Sequence, residues 1–251
     1  MITQKIILIF LLLTTLTSCG TNIFQGLAGE PEKSLLESIE DATTTEDYNL
    51  LIVEADSIIN SNSATDEEKA EAHLIKAEAI LGKSGVTAID IMADLGSSIT
   101  NDENPINSLS TSIDIQDLIT ASESITAATS LGNSGDENQN LMKGIVNTMI
   151  VMNTISEEFS IDENGNVENN VSSYSTSLDN IMYPGDQTDN DILHYSEEAI
   201  GGFTNSNALT NEQNQQIQSI SDQIELLKNL NNSGSSESEK ENQITSIFQG
   251  F

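Results

Sequence analysis

The stretch LMKGIVNTMIVMNTI, residues 141–155, decides the fold class because it is apolar on nearly every side of a helix. It is shorter than the roughly 20 residues that a membrane-spanning helix needs, and Lys143 lies within it. A helix that is apolar all round and too short to span a bilayer belongs in a protein core. We therefore expect residues 141–159 to form a central buried helix.

Apolar residues recur with a period near 3.6 on both sides of this stretch, which predicts further amphipathic helices. Strand signals are thin: the turn at Asn164-Gly165 could join at most two short strands. We predict a mostly α fold over residues 34–230, built of antiparallel helix pairs that form either a helical-repeat array or an irregular bundle. The predicted apolar stripes are Tyr48, Leu51, Ile52, Ala55, Ile58 and Ile59; Ala70, His73, Leu74, Ala77 and Leu81; Ala88, Met92, Leu95 and Ile99; Leu118, Ser122, Ile125 and Ala128; Ile192, Ala199 and Phe203; and Ile217, Ile220, Ile224 and Leu227.

Three short patterns predict where helices begin. TDEE at 65–68, SGDE at 134–137 and TNEQ at 210–213 each place a hydroxyl residue three positions before Glu or Gln. In such a capping box the hydroxyl accepts a backbone N–H of the first turn, and the Glu or Gln side chain reaches back. Gly82 or Gly85 is expected to end the helix that begins after Thr65.

The charge balance excludes two classes of partner. The 251 residues carry 40 acidic and only 8 basic side chains, for a formal net charge of −32. Nucleic-acid binding is excluded because phosphate contacts depend on Lys and Arg. Adhesion of the protein surface to anionic lipid is disfavoured for the same reason.

No combination of side chains predicts catalysis. The single cysteine is Cys19, and the two histidines, His73 and His194, lie far apart in the sequence. Asp191 and His194 could form a base and its orienting carboxylate, although proximity in sequence is not geometry. No zinc-ligand spacing, phosphate-binding glycine loop or nucleophile elbow is present. We expect a protein without enzymatic activity and without a cofactor, and rank an enzyme that uses carboxylates alone below the hypotheses that follow.

Two acidic loops raise the question of calcium. Asp162, Asn164 and Asn166 occupy the first, third and fifth positions of an EF-hand-like pattern. The pattern then fails, since Val167 replaces the required glycine and Ser173 the bidentate glutamate. An Asn-Gly turn is the alternative interpretation. The second loop, residues 183–191, is expected to be a surface turn with a helix beginning at Thr188.

The C-terminal residues 231–251 are predicted to be an acidic linker followed by an amphipathic segment. The stretch NNSGSSESEKE, residues 231–241, has the composition of a flexible linker. Behind it an apolar stripe either docks back on the helices as a cap or binds a groove on a partner. An exposed pair of phenylalanines favours aggregation, so the cap is the preferred interpretation. The stripe consists of Ile244, Ile247, Phe248 and Phe251.

The N-terminus has the pattern of a secretory signal: Lys5, a short apolar run and small residues. Leu16-Thr17-Ser18-Cys19 resembles the lipobox of bacterial lipoproteins. The resemblance implies that residues 1–18 are a signal peptide removed by signal peptidase II and that Cys19 carries fatty acyl chains. Residues 19–33 would then be the lipidated N-terminus and tether. Gly20 in place of Asp implies the outer membrane, facing the periplasm, if the cell has two membranes.

The segment from Glu46 to Leu95 resembles a degenerate tetratricopeptide repeat. AEAHL at 70–74, with Ala77 and Leu81-Gly82, has the small-residue rhythm of the first helix of that repeat, and Gly85 followed by Ala88 resembles the start of the second. The Trp, Tyr and Pro positions of the repeat are unfilled. The two resemblances together imply a membrane-anchored envelope lipoprotein whose helices form a non-catalytic protein-interaction scaffold.

An alternative function is a periplasmic ligand-binding accessory subunit of a transporter. Its ligand would occupy an apolar cavity between helices such as 141–159 and 86–99. A closed pocket lined by Met149 and Met152 would favour this alternative, whereas a shallow groove with exposed polar residues would favour the scaffold.

Overall fold

A computed structural model of the chain describes residues 35–85, 113–131, 137–161, 166–167, 171–186, 190–207 and 210–249. Within these ranges the chain is mostly helical, as the sequence predicts. The turn considered at Asn164-Gly165 lies outside the described residues, and Ile161 and Val167 on either side of it form an antiparallel bridge. The proposed signal peptide, the tether and the predicted stripe at 88–99 lie outside the described residues. Among the helices described, none combines the length and the hydropathy that crossing a membrane requires.

The described part of the chain contains nine α-helices and one short 3-10 turn. The 3-10 turn, Pro184–Asp186, follows the sixth helix. The helices are α1 Leu35–Asp41, α2 Thr45–Ile59, α3 Asp66–Lys83, α4 Ile115–Ser130, α5 Glu137–Glu158, α6 Tyr174–Met182, α7 Ile192–Ser206, α8 Asn211–Asn231 and α9 Glu237–Phe248.

Local capping places the boundaries of α3 where the sequence predicts them. The Thr65 backbone N–H donates to Glu68 Oε2 at 2.7 Å, and the Glu68 N–H donates to the Thr65 hydroxyl at 3.2 Å. The helix ends at Lys83, and Gly85 follows with φ +74°, a left-handed conformation that glycine adopts without a steric cost. Gly85 and not Gly82 therefore terminates this helix.

Helices α2 and α3 form an antiparallel pair. Asp56, late in α2, accepts a 2.7 Å ion-pair hydrogen bond from Lys76 in the middle of α3. Tyr48, in the first turn of α2, lies over Gly82 at the opposite end of α3. Contacts that run in opposite directions along the two helices establish their antiparallel arrangement.

The same antiparallel packing links α4 to α5 and α5 to α7. The Ser122 hydroxyl and the Asn147 amide oxygen meet at 2.9 Å, while Asn153, later in α5, donates to the carbonyl of Ile113, just before α4. At the start of α5, Glu137 accepts from Asn207, which follows α7. Helices α2, α3 and α4 pack on their neighbours in the sequence, but the most extensive packing is between α5 and α7, which are separated by α6.

Helix α5 is the centre of the core, as residues 141–155 predict. Every residue from Gly144 to Ile155 is buried, including two asparagines and two threonines. These polar side chains are satisfied by hydrogen bonds, for example from Thr148 to the Gly144 carbonyl at 2.8 Å. Burial on all sides therefore requires no membrane.

The C-terminal region differs from the predicted flexible linker. Helix α8 continues to Asn231, and α9 begins at Glu237, within residues 231–241. The cause is a capping box: the backbone N–H of Ser236 donates to Glu239 at 2.8 Å. Phe248 is fully buried, with its ring 5.3 Å from that of Phe159. Ile244 and Phe248 of the apolar stripe are buried and thus dock α9 back on the protein as a cap, while Phe251 lies outside the described residues.

Helix α6 is an element that the sequence analysis did not predict. Its first turn is joined to α9, because the Glu237 carboxylate accepts the Tyr174 N–H at 2.7 Å and also bonds the Ser175 side chain. Lys240 is buried and donates to the Ser175 hydroxyl at 3.0 Å. Further along, Asp191 is the N-cap of α7, and the helix start predicted at Thr188 lies outside the described residues.

Candidate interaction surface

Two exposed aliphatic side chains on α2 form the most concentrated apolar surface in the described part of the chain. Leu50 is 61% exposed and Val53 67% exposed, and they lie one helical turn apart. The other large hydrophobic residues with comparable exposure, Tyr183 and Leu226, lie on different elements. Adjacent exposed apolar residues are a stronger indication of an interaction site than scattered ones.

The packing of α2 on α3 decides which of its apolar residues face outward. The run Leu50-Leu51-Ile52-Val53 has four apolar residues in a row, and one face of a helix cannot bury all of them. Leu51 is buried and Ile52 partly buried, so Leu50 and Val53 occupy the outward-facing positions. The Tyr48 hydroxyl, which donates to the Ala42 carbonyl at 3.1 Å, helps to hold this rotation of the helix.

The exposed residues around this pair are polar or acidic. We define the α2 face as the exposed residues on this side of α2. Its members are Glu46, Asn49, Leu50, Val53, Glu54 and Ser57. Residues 45–68 contain seven carboxylates and neither Lys nor Arg. The α2 face is therefore an apolar pair of side chains surrounded by polar and acidic residues.

Two carboxylates near the α2 face are stabilised in their charged form by helix capping. Hydrogen bonds from the Thr44 hydroxyl, and then from the backbone N–H groups of Thr43 and Thr44, hold the pKa of Asp47 below its usual value. The backbone N–H and the hydroxyl of Thr65 lower the pKa of Glu68 in the same way. Asp47 and Glu68 therefore keep their negative charge to a lower pH than they would without these hydrogen bonds.

A shallow depression lies at the C-terminal end of α2. It is open to solvent and lined mainly by short polar side chains of the α2–α3 connection, next to Ser57 of the α2 face. Its lining consists of Ser57, Ile58, Ser61, Ser63, Ala64 and Glu68. A shallow polar groove of this kind suits a docking segment better than an enclosed small molecule.

Asp191 and His194, considered from the sequence as a base and its orienting carboxylate, are joined through the His194 backbone. Asp191 accepts the backbone N–H of His194 at 3.0 Å, and its other oxygen accepts from Lys228 at 2.5 Å. Burial opposes ionisation, but these bonds hold the pKa of Asp191 below its usual value. His73 lies on α3, where burial, and then the charge of Lys76, lowers its pKa. Asp191 is a helix cap and ion-pair partner in this arrangement.

The calcium candidates are only partly described. Asp162 and Asn164 lie outside the described residues, while the Asn166 side-chain oxygen accepts from Gln249 at 2.8 Å. In the parts of the chain that the structure describes, no group of three His, Cys, Asp or Glu side chains is placed to hold a metal ion.

The space beside Met152 is small. A recess between α5, α7 and α8 has a volume of about 10 Å³, near the minimum for one water molecule. Met149 and Met152 are fully buried. The cavity wall expected from residues 86–99 lies outside the described residues. The recess is lined by Thr148, Val151, Met152, Ser196, Ala199 and Ile220.

The candidate lipidation residue, Cys19, also lies outside the described residues. No protein-family model, curated protein or solved structure matches the chain.

The most strongly perturbed carboxyl group belongs to Glu78 on α3. Its Oε2 atom is buried and has no hydrogen-bond partner. Burial, with a smaller contribution from the nearby charge of Glu40, raises its pKa to about 7. Among the described residues, the acid that acts on Glu78 is the exposed Glu40, and burial accounts for most of the shift, which points to an effect on stability.

We expect Glu78→Gln to stabilise the protein at alkaline pH and to change little near pH 4.5. The pKa of Glu78 in the folded protein lies above 4.5, the ordinary value for glutamate in the unfolded chain. Its contribution to stability is therefore favourable at low pH and is lost as pH rises through about 7. Above that pH the variant should gain up to about 3 kcal/mol in free energy of unfolding. Urea denaturation at several pH values measures this difference. The exposed Glu225→Gln serves as the control, and a pH-independent difference for Glu78→Gln would contradict the assignment.

Proposed function

We propose that the protein is a lipid-anchored envelope lipoprotein that acts as a non-catalytic, helical protein-interaction scaffold. The observation that carries this proposal is the exposure of Leu50 and Val53 beside each other on α2. An uncovered aliphatic pair in a polar, acidic surround is typical of a docking site for another protein. The lipobox-like sequence ending at Cys19 supports attachment to a membrane.

The anchor and the α2 face are compatible in position along the chain. Fifteen residues, 20–34, separate Cys19 from the first residue of α1, Leu35. A chain of that length reaches at most about 55 Å when extended. The α2 face could therefore operate close to the membrane, while the acidity of the protein keeps its own surface away from anionic headgroups.

The tetratricopeptide-like interpretation remains part of this proposal. The α2–α3 hairpin is antiparallel, as helical repeats require, and α3 contains the residues that resemble the first helix of the repeat. The predicted second helix, after Gly85, lies outside the described residues. An irregular helical bundle would present the α2 face equally well.

A photo-crosslinking experiment in the native host tests the proposed function. With a photoreactive amino acid at Asn49, on the α2 face, we expect one discrete protein adduct. The pair Leu50→Gln and Val53→Gln should abolish the adduct, whereas Leu226→Gln, an equally exposed leucine on α8, should leave it unchanged. Cys19→Ala should release the protein from the membrane fraction and reduce the adduct.

Two results would contradict the proposal. One is an adduct that is unaffected by the paired substitution, because docking would then not use the α2 face. The other is an unmodified Cys19 thiol, with residues 1–18 still attached, in protein purified from membranes. The first outcome would refute the proposed docking site, and the second would refute the proposed lipid anchor.

A further inference from the structure

We infer that the α2 face binds a cationic amphipathic helix of a partner protein, in which Lys or Arg flank the apolar residues. This inference rests on the proposed scaffold function and specifies the chemistry of the partner. It is carried by the exposed pair Leu50 and Val53 and by the distribution of charge around it.

The charges near Leu50 and Val53 favour a partner that is positively charged. Residues 45–68 carry seven carboxylates without a single Lys or Arg. On α2 the exposed Glu46 and Glu54 lie one turn before and one turn after Leu50, at positions where they can meet the flanking residues of a bound segment. A partner with Lys or Arg beside its apolar residues gains complementary charges, and an acidic partner is repelled.

Charge also excludes the other plausible occupants. A second copy of this chain would bring another formal charge of −32 to the interface. Nucleic acid and anionic membranes are repelled in the same way. The surface therefore favours a basic partner over self-association.

The backbone of α2 determines the shape of the partner. All but the terminal backbone groups of a helix are paired internally, so the α2 face offers no edge to which a strand could be added. Polyproline segments bind grooves lined by aromatic rings, and the α2 face has none, since Tyr48 is packed against Gly82. The remaining common mode of peptide binding is an amphipathic helix that packs along the 15 residues of α2, over a length of about 22 Å.

Two aliphatic anchors are a small apolar contact, so the complex should be weak and sensitive to salt. Contacts of this size are typical of transient interactions, and a charged rim contributes mainly to association rate and specificity. Screening at high ionic strength should weaken binding, because the charges are exposed.

The test uses the purified full chain and three synthetic 15-residue peptides. The first has leucines at helical i, i+3, i+4 and i+7 spacing, surrounded by lysines. The second has the same composition in scrambled order, and the third replaces every lysine with glutamate. Fluorescence anisotropy at low and high salt gives the dissociation constants.

We expect only the patterned cationic peptide to bind through the α2 face. Leu50→Gln with Val53→Gln should raise its dissociation constant about tenfold, which corresponds to about 1.4 kcal/mol. Leu226→Gln should leave the constant unchanged. Equal binding by the scrambled peptide, or an unchanged constant for the paired variant, would reduce the effect to nonspecific charge attraction and overturn the inference.

The inference and the proposed function can fail separately. A crosslink from Asn49 to a partner without a basic amphipathic helix would sustain the scaffold and overturn the inference. A dimer that depends on Leu50 and Val53, detected by sedimentation of the full chain, would identify a second copy as the occupant and would also overturn it.

Discussion

Gly202→Ala is expected to destabilise the protein by about 3 kcal/mol or more, because α5 and α7 approach each other through their backbones at this position. A Cβ atom on Gly202 would lie 2.6 Å from the Asn140 carbonyl oxygen and 2.8 Å from Gly144 Cα. Both obstacles belong to a buried helix, so no flexible side chain can move aside. Overpacking usually costs about 1–3 kcal/mol, and a backbone clash belongs at or above the upper end of that range.

The adjacent Gly201 is a matched control for this substitution. It lies in the same helix, and a Cβ atom there would have no neighbour within 4 Å. Replacing a helical glycine with alanine at an unobstructed site should stabilise the protein by about 0.5–1 kcal/mol. Urea denaturation of the two variants should therefore give changes of opposite sign. Similar changes for both would contradict the close approach of α5 and α7.

Phe248→Ala is expected to cost about 3–5 kcal/mol, the usual range for removing a buried phenylalanine. Phe248 is fully buried at the end of α9, in edge-to-face contact with the equally buried Phe159. Removing the ring leaves a cavity where the last helix meets the end of α5. Thermal or urea unfolding, followed by circular dichroism, measures the loss.

A double-mutant cycle with Phe159→Ala separates the ring contact from the loss of apolar burial. An edge-to-face pair should show a coupling of about 0.5–1.5 kcal/mol. The exposed Leu226→Ala should change stability by less than about 0.5 kcal/mol and serves as the control. If Phe248→Ala were equally mild, α9 would not be a docked cap, and residues 231–251 would behave as the linker and free segment that composition predicts.

The central helix was predictable because its local pattern and its environment agree. Residues 141–155 are apolar on all sides, and the buried site that they occupy accepts any rotation of such a helix. The cap at Thr65 and Glu68 was predictable for a similar reason, since its hydrogen bonds join residues three positions apart. Features that are complete within one turn of chain can be recognised without knowledge of the fold.

The helices at the C-terminal end were harder to recognise. Helix α6 has Tyr174, Leu178, Ile181 and Met182 at helical spacing, but it spans only nine residues. Tyr174 is fixed partly by a carboxylate 63 residues away. For α9 a signal was present, because Ser236 and Glu239 have capping-box spacing. The serine-rich composition around these two residues favours a linker instead of a helix. Burial of Phe248 stabilises the helix in spite of this composition.

The α2 face was not predicted, although one sequence feature points to it. Four consecutive apolar residues from Leu50 to Val53 cover more of a helix than one stripe, so some of them must face outward. The selection of Leu50 and Val53 depends on the contacts that α2 makes with α3. The backbone approach at Gly202 escapes sequence analysis for the same reason, since Gly144 is 58 positions away.

Helices α2, α3 and α4 pack on their neighbours in the sequence, whereas α7 packs mainly on α5, across the intervening α6. Contacts between neighbouring segments form faster than contacts across longer loops. The α2–α3 hairpin can therefore form before α5 has been synthesised, whereas α7 needs both α5 and α8 to cover its apolar side. Helix α9 covers Phe159, so a polypeptide interrupted before Glu237 would expose this ring and be a preferred substrate for quality-control proteases.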